Sequence, residues 1–105
     1  MKKVWVLDDD KSIRWVFEKA LSKANLPCLC FSNTNEAINQ FNHETPSVIL
    51  SDIRMPGESG IDFLTKVKEK FPHIPIIIMT AYSDLDTAVS AFQKGAFEYI
   101  AKPFD

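Results

Sequence analysis

Aspartates stand at the ends of two apolar runs of this chain, and a threonine and a lysine stand at the ends of two others. Val4-Trp5-Val6-Leu7 breaks into Asp8-Asp9-Asp10, and Val48-Ile49-Leu50-Ser51 leads to Asp52. Ile76-Ile77-Ile78-Met79 leads to Thr80, and Phe97-Glu98-Tyr99-Ile100-Ala101 leads to Lys102. In a parallel sheet the carboxyl ends of the strands share one edge, so residues distant in sequence meet in one pocket there. Carboxylates, a hydroxyl and an ammonium in one pocket suit a divalent cation and a phosphoryl group. Clustered carboxylates repel one another, and a cation relieves that repulsion. Magnesium is the natural ion, because it takes hard oxygen ligands, keeps several waters and needs only one or two protein carboxylates. Asp8 and Asp9 with Asp52 are the expected ligand set. Asp10 is expected to cap the following helix instead, since helix N-termini favour acids. Lys102 can reach the same pocket as a point charge for phosphate. Thr80 offers a hydroxyl, and the small Ala81 after it leaves room for a ligand.

The segment Asp52-Ile53-Arg54-Met55-Pro56-Gly57-Glu58-Ser59-Gly60 follows the second acidic strand end. Turn chemistry alone accounts for Pro56 and Gly57. An ordered loop at this place can also present a backbone carbonyl, for instance that of Arg54, to the metal.

Five apolar runs must place these residues. They begin near residues 4, 28, 48, 75 and 98 and alternate with four amphipathic segments. That spacing fits strands joined by right-handed crossover helices. The runs are continuously apolar, as expected of strands covered on both faces. The first helix carries Ile13, Val16, Phe17, Ala20, Leu21 and Ala24 at helical spacing and ends at Asn25 and Pro27. The second turns Ala37, Ile38 and Phe41 inward. The third carries Ile61, Leu64, Val67 and Phe71 and stops at Pro72. The fourth carries Leu85, Ala88, Val89 and Phe92. Ser83 and Asp86 resemble a capping box at its start, and Gly95 suits its end. Pro103-Phe104-Asp105 reads as the opening of a fifth helix that the 105 residues do not contain, so residues 1–105 look like a domain truncated at the start of its last helix.

Composition narrows the function. The length suits one domain with one core. A net charge of −2 makes no electrostatic case for nucleic-acid binding. No apolar stretch approaches the roughly 18 residues of a membrane span, and the N-terminus is no signal peptide, which points to the cytoplasm. Cys28 and Cys30 read as two small buried hydrophobes, because a C-x-C metal site needs further ligands and neither His43 nor His73 is spaced to supply one.

Taken together, Val6-Leu7-Asp8-Asp9-Asp10, Ser51-Asp52-Ile53-Arg54-Met55-Pro56-Gly57, Met79-Thr80-Ala81 and Lys102-Pro103-Phe104 resemble the receiver domain of two-component response regulators. Ser12-Ile13-Arg14-Trp15-Val16, the stretch from Ser83 to Ala91 and the tail Gly95-Ala96-Phe97-Glu98-Tyr99 are similar to the nitrogen-regulation branch of that family. Tyr82 departs from the histidine expected after Thr80-Ala81, which leaves the chemistry untouched. The resemblance implies a flavodoxin-like, doubly wound α/β fold with a five-stranded parallel sheet in the order 2-1-3-4-5. It implies that Asp52 accepts a phosphoryl group from a sensor histidine kinase in a magnesium-dependent reaction. Asp9 then ligates Mg2+ directly, Asp8 assists through water, and the Arg54 carbonyl completes the protein ligands. Lys102 contacts the phosphoryl oxygens, Thr80 hydrogen-bonds one of them, and Tyr99 responds to Thr80 as part of the switch. A cis peptide between Lys102 and Pro103 is expected on the same ground. The domain is expected to assist its own phosphorylation and dephosphorylation rather than to be an enzyme. A receiver–receiver dimer is an open possibility. An ATPase output domain and a DNA-binding domain are expected in the full-length protein.

Two other readings use the same residues. A haloacid-dehalogenase-like phosphatase also joins a strand-end aspartate to magnesium, and Asp8 and Asp10 form D-x-D. The chain has no room for a cap domain, however, and the D-x-D-x-T pattern fails at Ser12. A non-phosphorylated interaction module on the same fold would not require the complete set of Asp52, Thr80 and Lys102.

Overall fold

The computed structural model describes residues 2–55, 58–81 and 85–102. Five strands, β1 (Val4–Leu7), β2 (Cys28–Phe31), β3 (Val48–Asp52), β4 (Ile76–Ala81) and β5 (Glu98–Lys102), alternate with four helices. The helices are α1 (Lys11–Lys23), α2 (Thr34–Gln40), α3 (Gly60–Lys70) and α4 (Leu85–Gln93). All strand pairs are parallel, and the sheet order is β2-β1-β3-β4-β5, as the resemblance implies. Crossover helices force the parallel arrangement, because each strand must return to the same end of the sheet before it can pair.

The period of two along each strand divides the core between the two faces. Trp5 and Leu7 point to one side, where they pack with Ala37 of α2, Phe63, Leu64 and Val67 of α3, and Ile49, Ile76 and Ile78 of the neighbouring strands. Val4 and Val6 point to the other, where Leu50 and Met79 lie beneath Ile13, Phe17 and Leu21 of α1. Aromatic rings fill the first side. Trp5 meets Phe31 edge-on at 5.2 Å, and Phe41 stacks on Phe71 at 4.7 Å.

Local chemistry sets the helix ends. Asp10 caps α1 by accepting the Ser12 N–H at 2.8 Å, as expected. Asn33 caps α2 through the Glu36 N–H, and Ser59 caps α3 through the Asp62 N–H. After α1 the chain turns at Asn25 in the left-handed region, with φ of 59°. After α4 it turns at Gly95, whose φ of 109° a side chain would strain.

β4 runs through Ala81 and β5 through Lys102, so Thr80 is the next-to-last residue of its strand and Lys102 the last of its own, at the strand ends as the apolar runs predict. Several other expectations are corrected. In α1 only Ile13, Phe17 and Leu21 touch the core, while Val16, Ala20 and Ala24 are exposed. Their i, i+4, i+8 spacing makes a narrower stripe than the full apolar pattern suggested. In α4 Val89 and Phe92 remain 56% and 39% exposed, and among the described side chains of the helix Ala91 is the one turned into the core. Cys28 and Cys30 are half-buried against α1 rather than sealed in the core. The Pro56-Gly57 turn, Tyr82, the Ser83 end of the capping box, the Lys102–Pro103 peptide, the Pro103-Phe104-Asp105 segment, and the side chains of Leu85, Ala88 and Lys102 lie outside the described residues.

Candidate functional site

The order of the sheet brings the expected residues to one edge. Leu7 pairs with Ser51, Asp52 with Met79, and Ala81 with Lys102. The acids after β1 therefore stand beside the acid that ends β3, and the strand carrying Thr80 comes next. Oxygen atoms of Asp8, Asp9 and Asp52 lie within 4.8 Å of one another. Opposite ligands of a magnesium ion are about 4.2 Å apart, so this spacing is close to what the ion needs. Asp8 is fully buried and Asp52 is 8% exposed, whereas Asp9 faces solvent. Two largely dehydrated carboxylates side by side are costly unless a cation accompanies them. The donor set is all oxygen, which fits magnesium or a similarly hard divalent ion.

Each carboxylate is held by its own backbone surroundings. The Asp8 N–H donates to the Phe31 carbonyl at 3.1 Å, and Asp8 Oδ1 accepts the Asp10 N–H at 2.9 Å. Arg14 Nη1 donates to the Asp8 carbonyl oxygen at 2.7 Å, tying α1 to the strand end. Because Asp10 is engaged as the α1 cap, it stands outside the carboxylate cluster. Asp52 Oδ1 accepts a long hydrogen bond of 3.4 Å from the Arg54 N–H. The Ile53 N–H donates to the Met79 carbonyl, and the Ile53 carbonyl accepts the Gly60 N–H at 2.9 Å. The backbone of Arg54 thus starts from a fixed base.

Thr80 is 1% exposed, and its Oγ1 has no hydrogen-bond partner among the described residues. A buried hydroxyl left unsatisfied costs about 1–3 kcal/mol, which marks it as a group poised for an acceptor. Tyr99 pairs with Ile78, so its side chain shares a sheet face with Thr80, on the neighbouring strand and one step back. It is 37% exposed and meets Phe92 of α4 edge-on at 5.5 Å. The backbone of Lys102 lies at the same edge of the sheet as the acidic cluster.

Sequence reasoning missed four contributors. Arg14 gave no signal, because its target is a backbone carbonyl. Thr34 and Glu58 meet across 24 residues, with the Thr34 hydroxyl donating to Glu58 Oε2 at 3.1 Å. Gly60 was visible only as a residue before a helix. A Cβ built on it would press on the Asp52 carbonyl oxygen and sit 2.7 Å from Ile53 Cα.

Comparison with known proteins agrees with this geometry. Residues 4–105 match the family model described as the response regulator receiver domain. The chain is 58% identical over 102 residues to the DNA-binding transcriptional regulator NtrC of Salmonella typhimurium, covering 97% of this chain and 22% of that protein. It is 57% identical to NtrC of Escherichia coli K12 over the same shares. The solution structure of the apo receiver domain of nitrogen regulatory protein C superposes with a TM-score of 0.88 at 57% identity, covering 99% of this chain and 84% of that one. A response regulator receiver domain protein from Clostridium thermocellum gives a TM-score of 0.92 at 34% identity, covering 100% of this chain and 85% of that one.

Proposed function

The chain belongs to the response regulator receiver domain family and is a receiver of the NtrC type, and from that premise we propose that Asp52 accepts a phosphoryl group from a sensor histidine kinase in a magnesium-dependent reaction. The observation that carries this is the cluster of Asp8, Asp9 and Asp52 oxygens within 4.8 Å of one another at the carboxyl edge of the sheet. An Asp52 carboxylate oxygen attacks the phosphorus of a phosphohistidine. The P–N bond breaks, the imidazole leaves and takes up a proton, and an acyl phosphate forms. Phosphoryl transfer of this kind needs an in-line nucleophile and charge neutralisation more than covalent help. Asp9, Asp8, Asp52 and the Arg54 carbonyl would hold Mg2+, which supplies that neutralisation when bound. Lys102 adds an ammonium for the phosphoryl oxygens. Thr80 donates its hydroxyl to one of those oxygens, and Tyr99 follows Thr80 to alter the α4–β5 surface. Phosphorylation shifts an equilibrium between two forms only by stabilising one more than the other.

The reading extends beyond the site. The domain assists its own phosphorylation and dephosphorylation and acts as a phosphoacceptor rather than turning over a separate substrate. The chain spans 22% of the NtrC relatives it matches, which supports ATPase output and DNA-binding domains in the full-length protein. This chain itself makes no nucleic-acid contact in the proposal, in keeping with its net charge of −2. Among the described residues no helix is long and apolar enough to cross a membrane, and the proposed location is the cytoplasm. The exposed Val89, Phe92 and Tyr99 would serve a receiver–receiver dimer.

Incubation with acetyl phosphate and magnesium, followed by mapping of the adduct by mass spectrometry, tests the proposal. A single phosphoryl group on the peptide containing Asp52 is expected. Modification of Asp52→Asn to the same level would overturn it.

A further inference from the structure

Glu58 lies between β3 and α3, in a loop where a carboxylate could turn into water at no cost. Instead its side chain is only 15% exposed. One oxygen accepts the Thr34 hydroxyl at 3.1 Å, and the other pairs with Lys66 Nζ at 2.9 Å. Thr34 opens α2, is itself 3% exposed, and follows the β2 end whose Phe31 carbonyl holds the Asp8 N–H. The Thr34–Glu58 bond therefore ties the loop after β3 to the turn after β2. Those two strands flank β1, which carries the acidic pair. The base of the same loop is closed by the Gly60 N–H on the Ile53 carbonyl. Arg54 sits between that closure and the Glu58 tether.

We propose that Glu58 is a positioning residue for the cation site: hydrogen-bonded to Thr34 and ion-paired with Lys66, it anchors the α3 side of the connection from β3 so that the Arg54 carbonyl and Asp52 meet the ion already ordered. The inference rests on the magnesium reading above and adds to it a loop lock that is not itself a ligand. Ordering a loop only when the ion arrives would subtract that conformational cost from the affinity. A tether made beforehand removes the cost from the binding step. The enclosed carboxylate is tolerable because one oxygen has a hydroxyl donor and the other an ammonium whose own head remains in water, with Lys66 61% exposed.

The test is a MgCl2 titration of the whole chain, followed by the amide shifts of Asp8, Asp9 and Asp52, with urea midpoints measured in parallel. The variants are Glu58→Ala, Thr34→Val, Thr34→Ser, the double variant Thr34→Val with Glu58→Ala, and Asp9→Ala as the ligand control. Glu58→Ala and Thr34→Val are expected to weaken magnesium roughly three- to tenfold, up to the lower bound of about tenfold for groups that hold a metal ligand directly, because Glu58 acts through the backbone. Thr34→Ser keeps the hydroxyl and should retain the wild-type affinity. The double variant should be no weaker than Glu58→Ala, because the two residues form one tether. A purely structural contact would move the urea midpoint and leave the affinity of the folded protein alone. If wild type binds and Asp9→Ala does not, but Glu58→Ala and Thr34→Val bind like wild type, the loop-lock inference is overturned while the site stands. If Asp9→Ala binds like wild type, the site reading itself fails, and the inference with it.

Discussion

The Cα of Gly60, the first residue of α3, lies directly against the backbone carbonyl of Asp52, with no room for a Cβ between them. The contact presses the start of α3 onto the end of β3, and the Gly60 N–H to Ile53 carbonyl bond holds it there. Gly60→Ala should therefore push the helix off the strand. A destabilisation of about 1–3 kcal/mol is expected, as for other overpacked sites. The rate of phosphorylation by acetyl phosphate should fall with it, since the displaced residue is the acceptor. Urea unfolding and a phosphorylation time course check both parts. Wild-type values in both would show that the contact yields freely.

Asp9 and Asp10 are neighbours with separate duties. Asp9→Ala removes a member of the carboxylate cluster and should weaken magnesium at least about tenfold. Asp10→Ala removes the α1 cap, which is worth about 1 kcal/mol of stability, and should change magnesium affinity little. Parallel magnesium titrations and urea midpoints separate the two. Equal loss of affinity in both variants contradicts the division.

Thr80→Val should separate stability from signalling. It deletes a buried hydroxyl that has no partner among the described residues, so folding stability is expected to hold or to rise by about 1 kcal/mol. Asp52 should still be phosphorylated. The response of α4 and β5, read from amide shifts of Leu85–Gln93 and Tyr99, should shrink markedly because the phosphoryl oxygen loses its donor. A full response in Thr80→Val would remove the hydroxyl from the switch.

Burial pushes the Cys30 thiol from 9.0 up to about 12, with the Glu18 carboxylate and Cys28 adding to the shift. The folded chain thus keeps its proton where the unfolded chain has lost it. Stability from this group is intact below about pH 9 and is lost as pH rises towards about 12. Cys30→Ser should flatten the decline of the urea midpoint across that window. At pH 8.5 iodoacetamide should label Cys30 far more slowly in the native chain than in urea. Equal rates in the two states would show the thiol to be unprotected.

The five strands and the acidic cluster were legible because they depend on residue type at strand ends, and strands announce themselves as apolar runs; the order of the sheet came only from the resemblance of the motifs to receiver domains. Asp10 was also legible, since an acid before a helical pattern has a local reason to be there. Val89 and Phe92 were not. Helical spacing shows which residues share a face, but Ala91 faces the core while the larger Val89 and Phe92 stay exposed. Arg14 and Glu58 were hidden for another reason. Their partners are the Asp8 backbone and a threonine 24 residues away, and neither leaves a periodic trace.

Helix α1, which follows the acidic pair, contains no fully buried residue, whereas α3 contributes Gly60, Phe63, Leu64 and Val67. Protection from hydrogen exchange should follow that inequality. Free energies of local opening scale with what an element buries, so the amides of β1, β3 and α3 should exchange only on global unfolding. Those of α1 should exchange through smaller openings that leave the sheet intact. The Arg14 bond to the Asp8 carbonyl and the Asp10 cap would open with them. The two walls of the acidic cluster then differ in kind: β3 and α3 form a permanent wall, and α1 a wall that comes and goes on the timescale of native-state breathing.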